Sequence, residues 1–282
     1  MPLIDIHPHV ISIDTQRFPL APIGGHQSDW SQERPVSYDE MIAAMDKAGV
    51  AKSAVVQASS AYAFDNSYVA AAVATYPKRF TGVFSVDVLA PDAVHKMKHW
   101  MAKGLTGMRL YTAGSTMEQK LWFIDPKTFP AWTFAGEAGI PVCMQMRHKA
   151  FPQLKEILER FPKVRFIIDH LGRTEMADGP PYAAAAPVFE LARYPNVYLK
   201  VTHRNFEEAR NGKATPETFF PKLIQAFGAN RIAWGSNYPA AKQSLTELAA
   251  LGRDTLAFLP QADRDWVFEK TALTLYPALK DK

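Results

Sequence analysis

The chain runs Pro141-Val142-Cys143-Met144-Gln145-Met146, then Phe151-Pro152-Gln153-Leu154-Lys155-Glu156-Ile157-Leu158-Glu159-Arg160-Phe161, then Arg165-Phe166-Ile167-Ile168-Asp169-His170. The first and third pieces are short and apolar throughout, the pattern of strands covered on both faces of a parallel sheet. Between them, Phe151, Leu154, Ile157, Leu158 and Phe161 recur at the spacing of one helix face. The unit is strand, helix, strand, and each strand closes on polar residues.

The same unit recurs in both directions. Strand-like runs occur at Ser53–Gln57, Phe80–Val86, Gly107–Tyr111, Pro141–Met146, Arg165–Asp169, Val197–Val201 and Arg231–Trp234, and the opening Leu3-Ile4-Asp5-Ile6 makes eight. Helix-like stretches lie at Asn66–Tyr76, Pro91–Ala102, Phe129–Ala138, Phe151–Phe161, Tyr182–Ala192 and Thr215–Phe227. An earlier helix starts at Ser37, whose Ser-x-x-Glu spacing to Glu40 is a capping box, and stops at Gly49. Eight such units predict an α/β fold, a single (β/α)8 TIM barrel over residues 1–282, a usual length for that fold. No Gly-x-Gly-x-x-Gly turn follows a strand, which disfavours a doubly wound dinucleotide-binding sheet. Trp266, Val267, Ala272, Leu273 and Leu275 predict a C-terminal helix packed on the outside. Pro19, Pro22, Gly24, Gly25 and Pro35 mark a long loop that could roof a site, with His26, Asp29 and Trp30 as its contacts.

The composition is 48% hydrophobic with 17 Phe and 6 Trp, enough for a large core. The 32 basic and 28 acidic residues are scattered, so no block suits nucleic acid or a membrane surface. A single cysteine, Cys143, forbids an internal disulfide, and no apolar run is long enough for a membrane helix. A cytoplasmic protein acting on a small molecule is expected, with a homo-oligomer left open.

In such a barrel the site forms at the C-terminal ends of the strands, and polar residues collect there. His7 and His9 project to one side of the first strand, as alternate residues do. The other ends offer Gln57; Arg109 and Tyr111; Gln145 and Arg147; Asp169 and His170; Thr202, His203 and Arg204; and Ser236, Asn237 and Tyr238. Arg109, Arg147, Arg173 and Arg204 fall at or just past strand ends, and guanidinium groups bind carboxylates as a fork. A small anionic substrate is therefore expected.

Asp5-Ile6-His7-Pro8-His9, Gly107-Met108-Arg109-Leu110-Tyr111, Asp169-His170-Leu171-Gly172, Gly235-Ser236-Asn237-Tyr238-Pro239 and Thr271-Ala272-Leu273-Thr274-Leu275-Tyr276 together resemble the amidohydrolase superfamily. They are most similar to its amidohydrolase-related group, which includes 2-pyrone-4,6-dicarboxylate lactonase and other sugar- and dicarboxylate-lactone hydrolases. The resemblance implies water attack at a carbonyl. It also marks departures: Gln145 where metal-binding members have a strand-five His, Asn237 where strand eight normally supplies an Asp, and Arg109 where a bridging lysine or glutamate would serve two metals.

The leading expectation is a lactonase needing no cofactor. In it His7, His9 and His170 polarise the carbonyl, and Gln57, Arg109, Tyr111, Gln145, Arg147, Arg173 and Tyr238 bind substrate. An amide cannot take a proton from water but an imidazole can, so His203 is the first candidate for a base beside Asn237, with His170 as the other. A single zinc on His7, His9 and His170 is the alternative for the metal. A metal-dependent decarboxylase or hydratase of an aromatic or muconate-type acid, and a barrel that only binds a small acid, are the alternatives for function.

Overall fold

The computed structural model describes residues 2–113, 116 and 120–281. Eight parallel strands follow in sequence order: β1 (Leu3–Asp5), β2 (Val50–Val56), β3 (Phe80–Phe84), β4 (Leu105–Tyr111), β5 (Val142–Gln145), β6 (Phe166–Asp169), β7 (Val197–Val201) and β8 (Ile232–Trp234). The sheet closes between its first and last strands. The Ile6 N–H donates to the Trp234 carbonyl at 3.3 Å, and the Ser236 N–H donates to Asp5 Oδ1 at 2.8 Å. This is the (β/α)8 barrel that the sequence predicts.

Strand alternation sorts the side chains into two cores. Met108, Leu110, Val142, Met144, Phe166, Ile168, Leu199 and Val201 belong to the larger one, with the helices that surround the barrel. Ile4, Ile6, Ala54, Val56, Val83, Cys143, Ile167 and Ala233 fill the interior. One step further up the interior faces of β4, β6 and β7 stand Arg109, Asp169 and Lys200, all buried. An apolar plug thus supports a charged layer directly below the site.

Helix ends follow their local chemistry. The helix Tyr38–Ala48 has the full capping box of Ser37 and Glu40 and ends at Gly49, whose φ of 69° is left-handed. The helix Phe151–Arg160 buries the predicted Phe151, Leu154, Ile157 and Leu158. Several bounds differ from the sequence reading. The second strand begins at Val50, three residues early, and the helix expected over Tyr182–Ala192 is a short Ala186–Glu190 with a tight turn after it. A helix at Leu245–Thr255 completes the last unit; its Ser244-to-Glu247 capping box was a legible signal.

The C-terminal helix does not lie wholly on the outside. Its Ala272 and Leu275, with Tyr276 and Leu279 just beyond, join the interior cluster and stop the bottom of the barrel. Gly107 makes room for this, since a Cβ there would lie 2.7 Å from the Tyr276 ring. Gly107→Ala is therefore expected to destabilise the fold by about 1–3 kcal/mol through overpacking. Urea unfolding should show the loss partly recovered in Gly107→Ala/Tyr276→Leu, and an unchanged midpoint in the single variant would contradict this packing.

Candidate active site

The site is built on one buried carboxylate. Asp169 and Lys200 are register partners on adjacent strands, and the Lys200 ammonium lies 2.8 Å from Asp169 Oδ1. Arg109 Nε donates to Asp169 Oδ2 at 2.7 Å. Burial would raise the Asp169 pKa, but Lys200 and Arg109 outweigh it and hold the carboxyl well below the usual range. The rest of Arg109 is also engaged: Nη1 donates to Tyr111 Oη at 2.8 Å and Nη2 to Gln145 Oε1 at 3.0 Å. Only the remaining hydrogens of the two Nη atoms are left for a ligand.

The three expected histidines do converge. The His7 ring lies 5.0 Å from His9 and 4.9 Å from His170, centroid to centroid. A Cβ on Gly235 would sit 2.5 Å from that of His7, so glycine is what lets β8 approach the ring. Burial, then Lys200 and Arg109, push His7 well below its ordinary pKa. Burial and Arg109 lower His9 to about 3. His170 is also pushed far down, chiefly by burial. All three are neutral imidazoles at ordinary pH.

Neutral rings carry one proton each, and their partners decide where. His9 Nδ1 lies 2.8 Å from the Val56 carbonyl; a carbonyl only accepts, so Nδ1 holds the proton and Nε2 is bare. His170 Nδ1 meets Thr202 Oγ1 at 2.8 Å. His7 Nδ1 meets the Lys200 ammonium at 2.8 Å; an ammonium only donates, so the His7 proton sits on Nε2, which is buried with no partner among the described residues. His170, Leu171 and Arg173 have φ of 53°, 52° and 54°, with Gly172 at 64° between them. Such a left-handed run is uncommon for residues with side chains, and it occurs where β6 delivers its histidine.

Above this layer opens a pocket of about 710 Å³, its mouth included, lined by His9, Arg109, Tyr111, Gln145, His170, Arg173, Arg204 and Asn237 together with Trp30. The long connection after β1, expected as loop to Pro35, contains a short helix, Asp29–Glu33, and its Trp30 lies 5.3 Å from the His9 ring. The same connection's His26 and Asp29 are exposed. Among the described residues, no hydrogen bond or ion pair engages the guanidinium of Arg173 or Arg204. Both side chains are exposed at the pocket mouth; partial desolvation, then repulsion from Arg204 and Arg147, lowers the Arg173 pKa.

Four expected residues stand elsewhere. Gln57 is buried, and its Nε2 donates to the Ala63 and Asp65 carbonyls at 3.2 and 2.6 Å. Arg147 is exposed, because β5 ends at Gln145 and the chain turns away. Tyr238 packs half-buried against the outer core. His203 opens the helix His203–Glu208, and its Nδ1 approaches the Ser236 carbonyl at 3.3 Å, outside the pocket. Sequence reasoning missed the weight of Lys200, an isolated charge between Leu199 and Val201. Its binding set also omits Arg204, which stands just past the end of β7.

The donor set does not fit a catalytic metal. His7 Nε2 bears a proton while Lys200 donates to Nδ1, and the Arg109 and Lys200 cations border the same space, whereas zinc needs bare nitrogens and tolerates no adjacent cations well. Among the described residues, no group of three or more His, Cys, Asp or Glu side chains stands at metal-holding geometry.

A family model described as amidohydrolase matches residues 4–278. An L-fucono-1,5-lactonase of Burkholderia ambifaria is 29% identical over 124 residues, 43% of this chain and 42% of that protein, so the chain aligns with less than half the length of this curated relative. A candidate 2-pyrone-4,6-dicarboxylic acid hydrolase from Pseudomonas putida has a structure similar over 99% of both chains, with a TM-score of 0.80 and 20% identity. A zinc-bound amidohydrolase from Burkholderia multivorans is similar over 98% of this chain and 99% of its own, with a TM-score of 0.77 and 18% identity.

The neutral histidines predict a pH dependence of stability. Their folded pKa values lie below the unfolded value of about 6.5, so as pH falls through that value the unfolded chain gains protons that the native chain does not. Stability is then lost toward acid, at up to about 1.4 kcal/mol per pH unit for each histidine. Urea unfolding between about pH 7 and pH 5 should show a shallower slope in His9→Gln than in the wild type. Equal slopes would mean that His9 takes up its proton in the folded protein as readily as in the unfolded chain.

Proposed function

The chain belongs to the amidohydrolase family, and on that premise we propose that it hydrolyses a carboxylated lactone. The observation that carries this reading is the pairing, in one pocket, of a neutral imidazole with its bare nitrogen fixed and two guanidinium groups that have no ion-pair or hydrogen-bond partner among the described residues. His9 supplies the first. Arg173 and Arg204 supply the second.

In the proposed reaction Arg173 and Arg204 meet the substrate carboxylate and Trp30 covers the ring. Arg109 and His170 face the ester carbonyl, where charge develops as the tetrahedral intermediate forms; such donors act strongly in a site that excludes water. His9 Nε2 takes one proton from the attacking water as the new C–O bond forms. Collapse of the intermediate breaks the ring C–O bond, and the departing alkoxide regains the proton from His9, leaving an open hydroxy acid. Asn237, an amide, orients the water and takes no proton. This reading moves the base from His203, which lies outside the pocket, to His9. The depressed pKa of His9 is partly the field of Arg109; an anionic substrate offsets that field and strengthens the base when substrate is bound. The L-fucono-1,5-lactonase relative and the 2-pyrone-4,6-dicarboxylic acid hydrolase-like structure support hydrolysis, and the arginines supply the reason for a carboxylate.

The test is acid release from a panel of carboxylated lactones and their neutral counterparts. Carboxylated rings should be turned over and neutral ones poorly. His9→Gln should lower kcat by about 10²–10⁴-fold, whereas Arg173→Met and Arg204→Met should chiefly raise KM. Equal turnover of charged and neutral rings would defeat the arginine assignment. Release of carbon dioxide from aromatic acids in place of lactone opening would favour the decarboxylase reading.

A further inference from the structure

The geometry points to Lys200 as a positioning residue that sets the proton of His7 on Nε2 and thereby keeps the histidine cluster a hydrogen-bond-donating site closed to divalent metals. Lys200 is fully buried. Its Nζ reaches three acceptors: His7 Nδ1 at 2.8 Å, Asp169 Oδ1 at 2.8 Å and Cys143 Sγ at 3.3 Å. An ammonium has no lone pair, so Nζ donates to His7 Nδ1 and Cys143 Sγ and holds Asp169 Oδ1 as an ion pair. The Lys200 contact therefore takes the only lone pair of the neutral His7 ring, and the buried Nε2–H is left without a partner among the described residues.

The consequence is reversible in chemical terms. His7 Nδ1 lies 3.8 Å from Asp169 Oδ1, with Lys200 at 2.8 Å from each. Without the ammonium, Nδ1 could carry the proton and donate it to Asp169. That is the carboxylate and histidine arrangement which, in metal sites, fixes the tautomer and raises the basicity of the other nitrogen. His7 Nε2 would then be bare, as His9 Nε2 already is, and one positive charge would be gone from the floor. A single side chain separates a donor site from a ligand set.

The experiment measures zinc affinity by competition with a chromophoric chelator, in the wild type and in Lys200→Met, together with ring ¹⁵N spectra of histidine-labelled protein. The wild type should bind zinc weakly at this cluster, and its His7 signals, assigned by their loss in His7→Gln, should report a protonated Nε2 and a bare Nδ1. Lys200→Met should bind zinc about 10–100-fold more tightly, the usual weight of an outer-shell partner, and lose that gain when His7→Gln is added. A protonated Nδ1 on wild-type His7, tight zinc binding by the wild type through His7, or a folded Lys200→Met with unchanged affinity would overturn the assignment. If Lys200→Met does not fold, the wild-type spectrum decides by itself. None of these readouts uses turnover, so the result stands apart from the lactonase proposal.

Discussion

One carboxylate sets the terms for this molecule's upper half. Asp169 sits without solvent contact between Arg109 and Lys200, and an ion taken out of water costs several kcal/mol unless it is paired and hydrogen-bonded. Here two cations share one anion, so the layer keeps a positive excess. That excess adds to burial in keeping His7, His9 and His170 neutral. It also makes the floor attractive to an anion and unwelcoming to a metal ion.

The barrel supplies rigidity for this arrangement. Below the charged layer the interior is apolar, and Tyr276 and Leu275 close it from the bottom. Arg109 and Gln145 reach the layer from β4 and β5, while His170 is presented by a left-handed run just past β6. A Cβ at Gly172 in that run would lie 2.6 Å from the Phe151 ring, so the tight turn and the packing of the following helix depend on the same glycine. The strain around His170 is held by its surroundings: Asn205 Nδ2 donates to the His170 carbonyl at 3.1 Å.

Much of this was legible in the sequence because the barrel converts chain position into spatial position. Apolar runs alternating with helical periods gave eight strands, and their C-terminal ends nominated His7, His9, Arg109, Tyr111, Gln145, His170 and Asn237, which the fold brings into or directly beneath one pocket. The reading failed where the strand phase lapses. Arg147 is two residues past Gln145, but the strand has already ended. His203 belongs to a helix, whose first turn aims it at Ser236. Gln57 satisfies loop carbonyls that no periodicity encodes. Lys200 was visible as a lone charge inside an apolar strand, yet only the interior face of β7 reveals that it meets His7 and Asp169 at once.

The central claim is that the charges of Asp169 and Lys200 depend on each other, and a double-mutant cycle on stability tests it most directly. Asp169→Asn alone leaves two buried cations without their anion and should cost about 3–5 kcal/mol. In Asp169→Asn/Lys200→Met the orphaned ammonium is gone, so the double variant should be more stable than Asp169→Asn. Losses that simply add would contradict the account.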